Sequence, residues 1–214
     1  GWFFIHRARL GLLSCNFINH LYYNQIPNMC RKCGRFPETP MHIINGCDYS
    51  LPFGEIKHDR IKDELAKFLR KKFGDNTVSV EHEHKMPNGK LWIFDILVDF
   101  GNTAWIIEVK SPWDADEQFD HAYDRACFTY LDAQLDLMQT HGKTEVTIFP
   151  FVVGSLGRWH PTNNFLLAAI GWNDDDIEAY ATRTARRNIE MCAKHYNQHL
   201  LYISNDEIIR DGTA

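Results

Sequence analysis

Five stretches of the chain repeat their apolar residues at helical spacing, four others run apolar by alternation or without a break, and the two kinds interleave. Residues 2 to 13 read as a helix. Residues 55 to 73 read as a longer one, in which Ile61, Leu65, Phe68 and Leu69 make an apolar face that ends against Lys72. Gly74-Asp75-Asn76 stops it. Residues 77 to 84 alternate, with Val78 and Val80 set against Ser79 and Glu81, as a strand does. Residues 91 to 100 and 103 to 110 are two more strands, rich in Ile, Val, Phe and Trp. Residues 114 to 138 carry Phe119, Tyr123, Cys127, Tyr130, Leu131, Leu135 and Met138 at helical spacing, and Gly142 follows as a stop. A strand over 145 to 153 and helices over 163 to 170 and 174 to 199 complete the pattern, with Asn173 or Asp174 as the last helix's cap. This order predicts an α/β fold, a sheet flanked by helices.

Gly101-Asn102 between two strands is a glycine-first hairpin turn. It pairs residue i with residue 203 − i and sets Asp95 opposite Glu108. Two carboxylates facing each other destabilise a sheet unless a cation lies between them. Lys110 projects from the same face as Glu108. The trio Asp95, Glu108 and Lys110 is sufficient for phosphodiester hydrolysis. The carboxylates hold Mg²⁺ or Mn²⁺, and the lysine orients a water or stabilises developing charge. The plainer alternative is a polar solvent face with a Glu to Lys surface pair. Asp99 is the rival first carboxylate, opposite Ala104.

Cysteine spacing adds a second metal. Cys30-x-x-Cys33, His42 and Cys47, separated by turns at Gly34, Pro37, Pro40 and Gly46, have the spacing of a closed tetrahedral zinc site, structural and not catalytic. Reduced thiols in a loop are the alternative. Cys15, Cys127 and Cys192 lie in apolar patterns and read as buried free thiols in a reducing compartment. The expected division is residues 1 to 54, a helix and zinc knuckle, and 55 to 214, the sheet domain.

With 44% hydrophobic and 24% charged residues, the chain has neither the composition of a disordered segment nor that of a disulfide-stapled miniprotein. Its longest apolar runs fall well short of the roughly 20 residues a membrane span needs, so no membrane partner is expected. The amino end, with Arg7 and Arg9 inside its apolar pattern, reads as a piece of a longer chain and not as a signal peptide. The net charge of −5 hides an asymmetry: residues 1 to 90 hold 14 Lys and Arg against 9 Asp and Glu, and the remainder 9 against 19. A basic docking surface on an acidic body follows. Arg31, Lys32 and Arg35 on the knuckle's turns, and Lys57, Arg60, Lys62, Lys67, Arg70, Lys71 and Lys72 beyond it, are the expected phosphate contacts, solubility being the alternative. Arg158, on a turn between Gly154 and Gly157, is placed to clamp a phosphate.

Taken together, these motifs resemble the restriction-like endonuclease domain, of PD-(D/E)XK type, at the carboxyl end of site-specific non-LTR retrotransposon proteins. The likeness begins at Arg7-Ala8-Arg9-Leu10-Gly11-Leu12-Leu13 and continues through the Cys30 to Cys47 run with Glu38-Thr39-Pro40-Met41-His42-Ile43-Ile44 inside it. It takes in Lys57-His58-Asp59, Asp95 to Glu108, and Val152-Val153-Gly154-Ser155-Leu156-Gly157-Arg158-Trp159. Two departures stand out. Phe94 occupies the place where the family often has Pro. Lys110 sits on the strand, where members commonly take a lysine from the next helix in a Lys-x-x-Lys-Tyr pattern, for which this chain offers Arg125, Thr129 and Tyr130. The resemblance implies a restriction-endonuclease-like mixed sheet and nicking of double-stranded target DNA in the nucleus. The 3′ hydroxyl so exposed primes a reverse transcriptase of the same polypeptide on element RNA. It adds His58 and Tyr130 to the catalytic group and Arg125 to the DNA contacts. His58 otherwise reads as a surface residue at a helix start, and Arg125 and Tyr130 as helix-surface or packing residues. A catalytically inactive zinc-containing nucleic-acid-binding module and a junction-resolving nuclease are the competing readings.

Overall fold

The structure, a computed structural model, describes residues 2 to 25 and 27 to 201. Its elements are α1 (Trp2–Arg9), α2 (Asn16–Tyr22), α3 (Leu51–Phe73), β1 (Val78–Lys85), β2 (Leu91–Asp99), β3 (Thr103–Lys110), α4 (Asp116–Thr129), α5 (Leu131–Gln139), β4 (Glu145–Val152), α6 (Asn163–Ile170) and α7 (Asp174–Leu200). The order follows the apolar pattern, but α3 starts at Leu51 and not at residue 55, which puts His58 inside the helix and not at its start, and there are three further differences. The first helix ends at Arg9 and not at residue 13, because Gly11, at φ 65, turns the chain and Arg7 Nε donates to the Leu12 carbonyl at 3.1 Å. The short α2 was not legible, since it buries no residue and so leaves no periodic face. The single helix expected over 114 to 138 is two, broken at Tyr130, whose ψ of 15 leaves the helical range.

Contacts divide the chain at Gly54/Glu55 and again at Asn188/Ile189, both inside helices. Residues 55 to 188 form one unit, in which the mixed sheet has the order β1-β2-β3-β4: an antiparallel β1-β2-β3 meander with β4 added parallel to β3. Parallel addition requires a crossover, which α4 and α5 supply. Pro150, without an N–H, is tolerated because β4 is an edge strand. One face of the sheet packs Ile96, Val98, Ile107 and Val109 against Ile61, Leu65 and Leu69 of α3 and Leu166, Leu167 and Ile170 of α6. The other packs Leu97, Ala104 and Ile106 against Tyr130, Ala133 and Leu137.

Three polar groups inside this unit hold the turns around it. Lys57, expected on the basic surface, is 2% exposed, and its Nζ donates to Ser155 Oγ at 2.7 Å and the Ser111 carbonyl at 3.2 Å. Asp114 accepts from the Leu156 and Arg158 N–H groups at 2.7 and 2.9 Å, so close to Gly154 that a Cβ there would lie 2.2 Å from its carboxylate. Glycine is required by space at that position. The Asn163 side chain pairs with both the N–H and the carbonyl of Val152, at 2.9 and 2.8 Å.

Residues 2 to 54 and 189 to 201 form the other unit, with Ile43, Ile44, Cys15 and Cys192 buried. The sheet domain was expected to include residues 189 to 214; those described pack with the amino-terminal residues instead, through Tyr196 to the Ser14 carbonyl at 2.8 Å and His195 to Ser50 Oγ at 2.7 Å. Residues 202 to 214 lie outside the described ones. Of the three left-over thiols, Cys15 and Cys192 are buried as expected and Cys127 is half-buried. No described helix is long and apolar enough to cross a membrane.

Asn163→Ala leaves the buried Val152 N–H without its acceptor. It is expected to lower unfolding free energy by about 1–3 kcal/mol, measured by urea denaturation of the variant against the wild type.

Candidate functional site

The β2-β3 register is the one the turn dictates. Ile96 pairs with Ile107, Leu97 with Ile106, Val98 with Trp105 and Asp99 with Ala104, and Gly101 at φ 87 has the positive φ of a glycine-first turn. One step further the ladder stops, at the position of Asp95 and Glu108. Alternation also breaks there, since Phe94 joins the same cluster as Leu97 when its parity belongs with Ile96. On the other side, β1 pairs Val80 with Ile96 and His82 with Phe94 but omits Glu81 opposite Asp95, and Glu81 has φ 52. A non-glycine residue in that region is strained by about 1–3 kcal/mol. The strained, unpaired step of the sheet is thus the one that carries Asp95.

What occupies the gap is the Asp95 side chain. Its Oδ2 accepts from the Val109 N–H at 2.7 Å and lies 3.1 Å from His58 Nε2, while His58 Nδ1 lies 3.2 Å from Asp59 Oδ1. Both ring nitrogens therefore face carboxylate oxygens, which accept only, and an imidazolium satisfies both. Burial alone would lower the His58 pKa, but the hydrogen bond and charge of Asp95, then the bond to Asp59, raise it. Burial would likewise raise Asp95, yet His58, the Val109 N–H and the Lys110 charge hold it below the usual range.

Glu108 has the opposite shift. Burial, then the Asp95 charge, raises its pKa against the pull of Lys110 and Tyr130. Lys110 Nζ pairs with Glu108 Oε1, and Tyr130 Oη lies 2.8 Å from Glu108 Oε2 and 2.9 Å from the Ile93 carbonyl. A phenol has one proton for two acceptors, so Tyr130 donates to either Glu108 or the Ile93 carbonyl at any one time. The helix break at Tyr130 brings the phenol to the sheet, and Phe94, standing where the resembled family often has Pro, packs edge-on against its ring at 5.0 Å. His58 contacts Asp95, Lys110 and Tyr130 contact Glu108, and the charges of Asp95 and Glu108 act on one another, while Asp99 caps the hairpin through the Gly101 N–H and pairs with Lys143. Hard oxygen donors in a partly buried carboxylate pair are a suitable set for Mg²⁺ or Mn²⁺.

Sequence reasoning passed over Glu81 as a site residue. Its carboxylate pairs with Lys62 Nζ, which also reaches Asp59 at 2.8 Å, so a chain of alternating charge runs from Glu81 through Lys62, Asp59 and His58 to Asp95. Beside Lys110, Gln118, His121, Ala122 and Arg125 line an open cleft of about 320 Å³. Arg125 is exposed there. Two other expected phosphate contacts of this unit are engaged inside it, whereas Lys67, Lys71 and Lys72 are exposed. Arg60 Nη2 donates to Asn188 at 2.7 Å, and Arg158 pairs with Asp116 at 2.6 Å and lies 4.3 Å over the Phe119 ring.

In the other unit, the ligand atoms of Cys30, Cys33, His42 and Cys47 all lie within 4.8 Å of one another, with Cys30 Sγ 3.8 Å from Cys47 Sγ and Cys33 Sγ 3.3 Å from His42 Nε2. Three thiols and an imidazole suit zinc. Burial lowers the His42 pKa and so favours the neutral ring that ligates. Two further groups were missed. His199 Nε2 lies 3.4 Å from both Cys30 Sγ and Glu38 Oε1, and Glu38 is fully buried. Burial would raise Glu38, but His199, Arg31 and the Arg31 and Asn16 N–H groups hold it at about 2. Arg31 is spent on this cluster, donating to Glu38, Asn16 and the Leu200 carbonyl. It is therefore a brace of the knuckle and not an outward phosphate contact, whereas Lys32 reaches the Leu201 carbonyl and Arg35 pairs with Asp48 in the open.

Because Asp95 raises His58, His58 protonation adds stability that is fully present below about pH 6.5, its unfolded value, and is lost as pH rises through the folded pKa. In metal-free buffer, Asp95→Asn is expected to lower the titration midpoints of both His58 and Glu108, followed by NMR shifts of the imidazole and carboxyl carbons. An unmoved His58 midpoint would show that Asp95 is not its partner.

No protein-family model matches the chain. It is similar to the Pol polyprotein from the type-1 retrotransposable element R2 of Popillia japonica, 25% identical over 138 residues that cover 63% of this chain and 28% of that protein. The chain thus spans under a third of that relative's length. Among solved structures it is similar to the small subunit of the heterodimeric restriction endonuclease R.BspD6I, at 10% identity and a TM-score of 0.30, over 72% of this chain and 97% of that one. The sequence relative is a retrotransposon polyprotein, in agreement with the resemblance read from the motifs.

Proposed function

We propose that the chain is a metal-dependent DNA endonuclease of a non-LTR retrotransposon protein. It nicks double-stranded target DNA in the nucleus and leaves a 3′ hydroxyl, from which a reverse transcriptase elsewhere in the same polypeptide copies element RNA. The observation that carries this reading is the carboxylate pair at the interrupted step of the sheet, with one acid lowered and its neighbour raised in pKa. Asp95 and Glu108 hold the cation. A bound Mg²⁺ or Mn²⁺ supplies Lewis-acid polarisation of the phosphate and a water of lowered pKa. Lys110 orients the attacking water or stabilises charge developing on the phosphate. His58 positions Asp95, and Tyr130 positions Glu108 by fixing its Oε2.

The zinc knuckle of Cys30, Cys33, His42 and Cys47 is structural in this reading, with no position left for a reacting water. Phosphate contacts fall to the exposed cations, Arg125 in the cleft beside Lys110, Lys67, Lys71 and Lys72 along α3 and Arg35 on the knuckle, with the half-buried Lys32 beside it. A catalytically inactive binding module is the second reading. It is favoured by the Lys110 to Glu108 pairing, which neutralises Glu108 without a metal.

Nicking of supercoiled plasmid is expected in Mg²⁺ or Mn²⁺ and not in Ca²⁺. Asp95→Ala, Glu108→Ala and Lys110→Ala are each expected to lower its rate by about a hundredfold or more while DNA binding in Ca²⁺ survives. Wild-type cleavage by Asp95→Ala would sink the proposal, and an intact binder that never nicks would establish the second reading. For binding, Arg125→Ala and Lys71→Ala are each expected to lower the log-log salt slope by about 0.9. Arg31→Ala should leave the slope alone and destabilise the knuckle, as seen by the salt dependence of DNA titrations and by chemical denaturation.

A further inference from the structure

A third group of metal donors lies in the sheet unit, apart from the carboxylate pair. His84 ends β1, Asp136 is on α5 and His141 follows that helix, and their ligand atoms all lie within 4.8 Å of one another. Asp136 Oδ2 is 2.8 Å from His84 Nε2 and 3.8 Å from His141 Nε2. Ligands about 2.0–2.1 Å from a tetrahedral zinc lie about 3.3 Å apart, and these two distances bracket that value. We infer that His84, Asp136 and His141 form a second zinc site, with two imidazoles, one carboxylate and a fourth position open to water.

The donor set selects the class of ion. Two neutral imidazoles disfavour Mg²⁺ and Ca²⁺, which take oxygen, and suit Zn²⁺. The surroundings have the parts a site needs beyond its ligands. Thr140 Oγ1 donates to Asp136 Oδ1 at 2.8 Å, which turns Oδ2 toward the two rings. Phe94 stacks on the His84 ring at 5.7 Å and fixes its plane. His84 and Asp136 are buried, at 6% side-chain exposure each, while His141 is 51% exposed. The buried pair forms the floor and His141 the mouth, which gives the ion a path in from solvent.

The placement also gives the ion a task. β1 is an edge strand, joined to the sheet on one side only. α5 starts at Leu131, directly after the Tyr130 that fixes Glu108. An ion held by His84 and Asp136 ties the edge strand to that helix and braces the break at which Tyr130 sits. The binding itself does not rest on the nuclease reading, so its test reads metal and not cleavage.

The full chain, stripped by a chelator and dialysed against buffered free Zn²⁺, is compared with His141→Ala and with Asp136→Asn by metal analysis. His141 lies at the surface, so its replacement leaves the core intact. The wild type is expected to hold one zinc equivalent more than either variant whatever the knuckle holds, with affinity for that equivalent at least tenfold weaker in His141→Ala. Zinc should also raise the melting temperature of the wild type more than that of His141→Ala. Equal zinc content and equal thermal response in the wild type and His141→Ala would overturn the assignment and leave the trio a hydrogen-bonded cluster.

Discussion

The carboxylate of Asp95 takes the place of main chain in the sheet, and the geometry of the site depends on that substitution. Where β2 and β3 would continue their ladder, the Val109 N–H is accepted by a side chain. This hydrogen bond keeps β3 satisfied while β2 departs from alternation, and it fixes the charged end of Asp95 at the strand boundary. Without it, two carboxylates set opposite each other would be a repulsive pair in a half-buried sheet. With it, the two acids differ by surroundings: His58, the Val109 N–H and the Lys110 charge hold the Asp95 pKa below the usual range, while burial and the Asp95 charge raise that of Glu108 against the pull of Lys110 and Tyr130. In the proposed reading, a divalent cation held by Asp95 and Glu108 would relieve the repulsion between them. Cation affinity there would be built from an interaction that costs stability when no cation is present.

The hairpin could be read from the chain because everything that decides it is local. A glycine-first turn between two apolar strands dictates the pairing, and residue i meets residue 203 − i over the four observed pairs. The same rule fails one step later for a reason that is not local. The Asp95 partner His58 lies 37 residues away, and the irregularity is shared with Glu81 on a third strand. The break at Tyr130 was hidden in the same way. Its helical spacing continues from Tyr123 through Leu135, and only the bonds to Glu108 and Ile93 make it the point where the helix yields. Periodicity reports which face is buried, and it is silent on a single residue whose phenol reaches for a carboxylate.

The knuckle divides similarly. Four ligands within eighteen residues announce themselves by spacing, and the structure gathers them. His199 is 169 residues beyond Cys30, on a helix whose apolar pattern gives no sign that a histidine faces inward. Glu38 was quoted only as part of a resemblance, yet its ionised carboxylate, fully buried, is the acceptor around which Arg31, Asn16 and His199 are arranged. A buried charge with that many donors is costly to break, since losing a partner leaves the rest uncompensated. The arginine and the glutamate are therefore one unit, and a count of positive residues misassigns half of it.

That misassignment has a general physical cause, and it changes how the charge asymmetry is to be understood. The first ninety residues carry an excess of five positive charges, but Arg31, Lys57 and Lys62 turn theirs inward, to a carboxylate, to carbonyl and hydroxyl oxygens, and to the Glu81 and Asp59 pair. A cation spent on an internal partner contributes to the fold and very little to the field felt by a phosphate. Lys62 shows what is gained instead: it links the strained Glu81 to Asp59, Asp59 holds the far nitrogen of His58, and His58 holds Asp95. The basic helix α3 is thus two helices in one. Its outward cations face solvent, while on its inward side Lys57 and Lys62 are spent on internal partners and His58 holds the Asp95 pKa down.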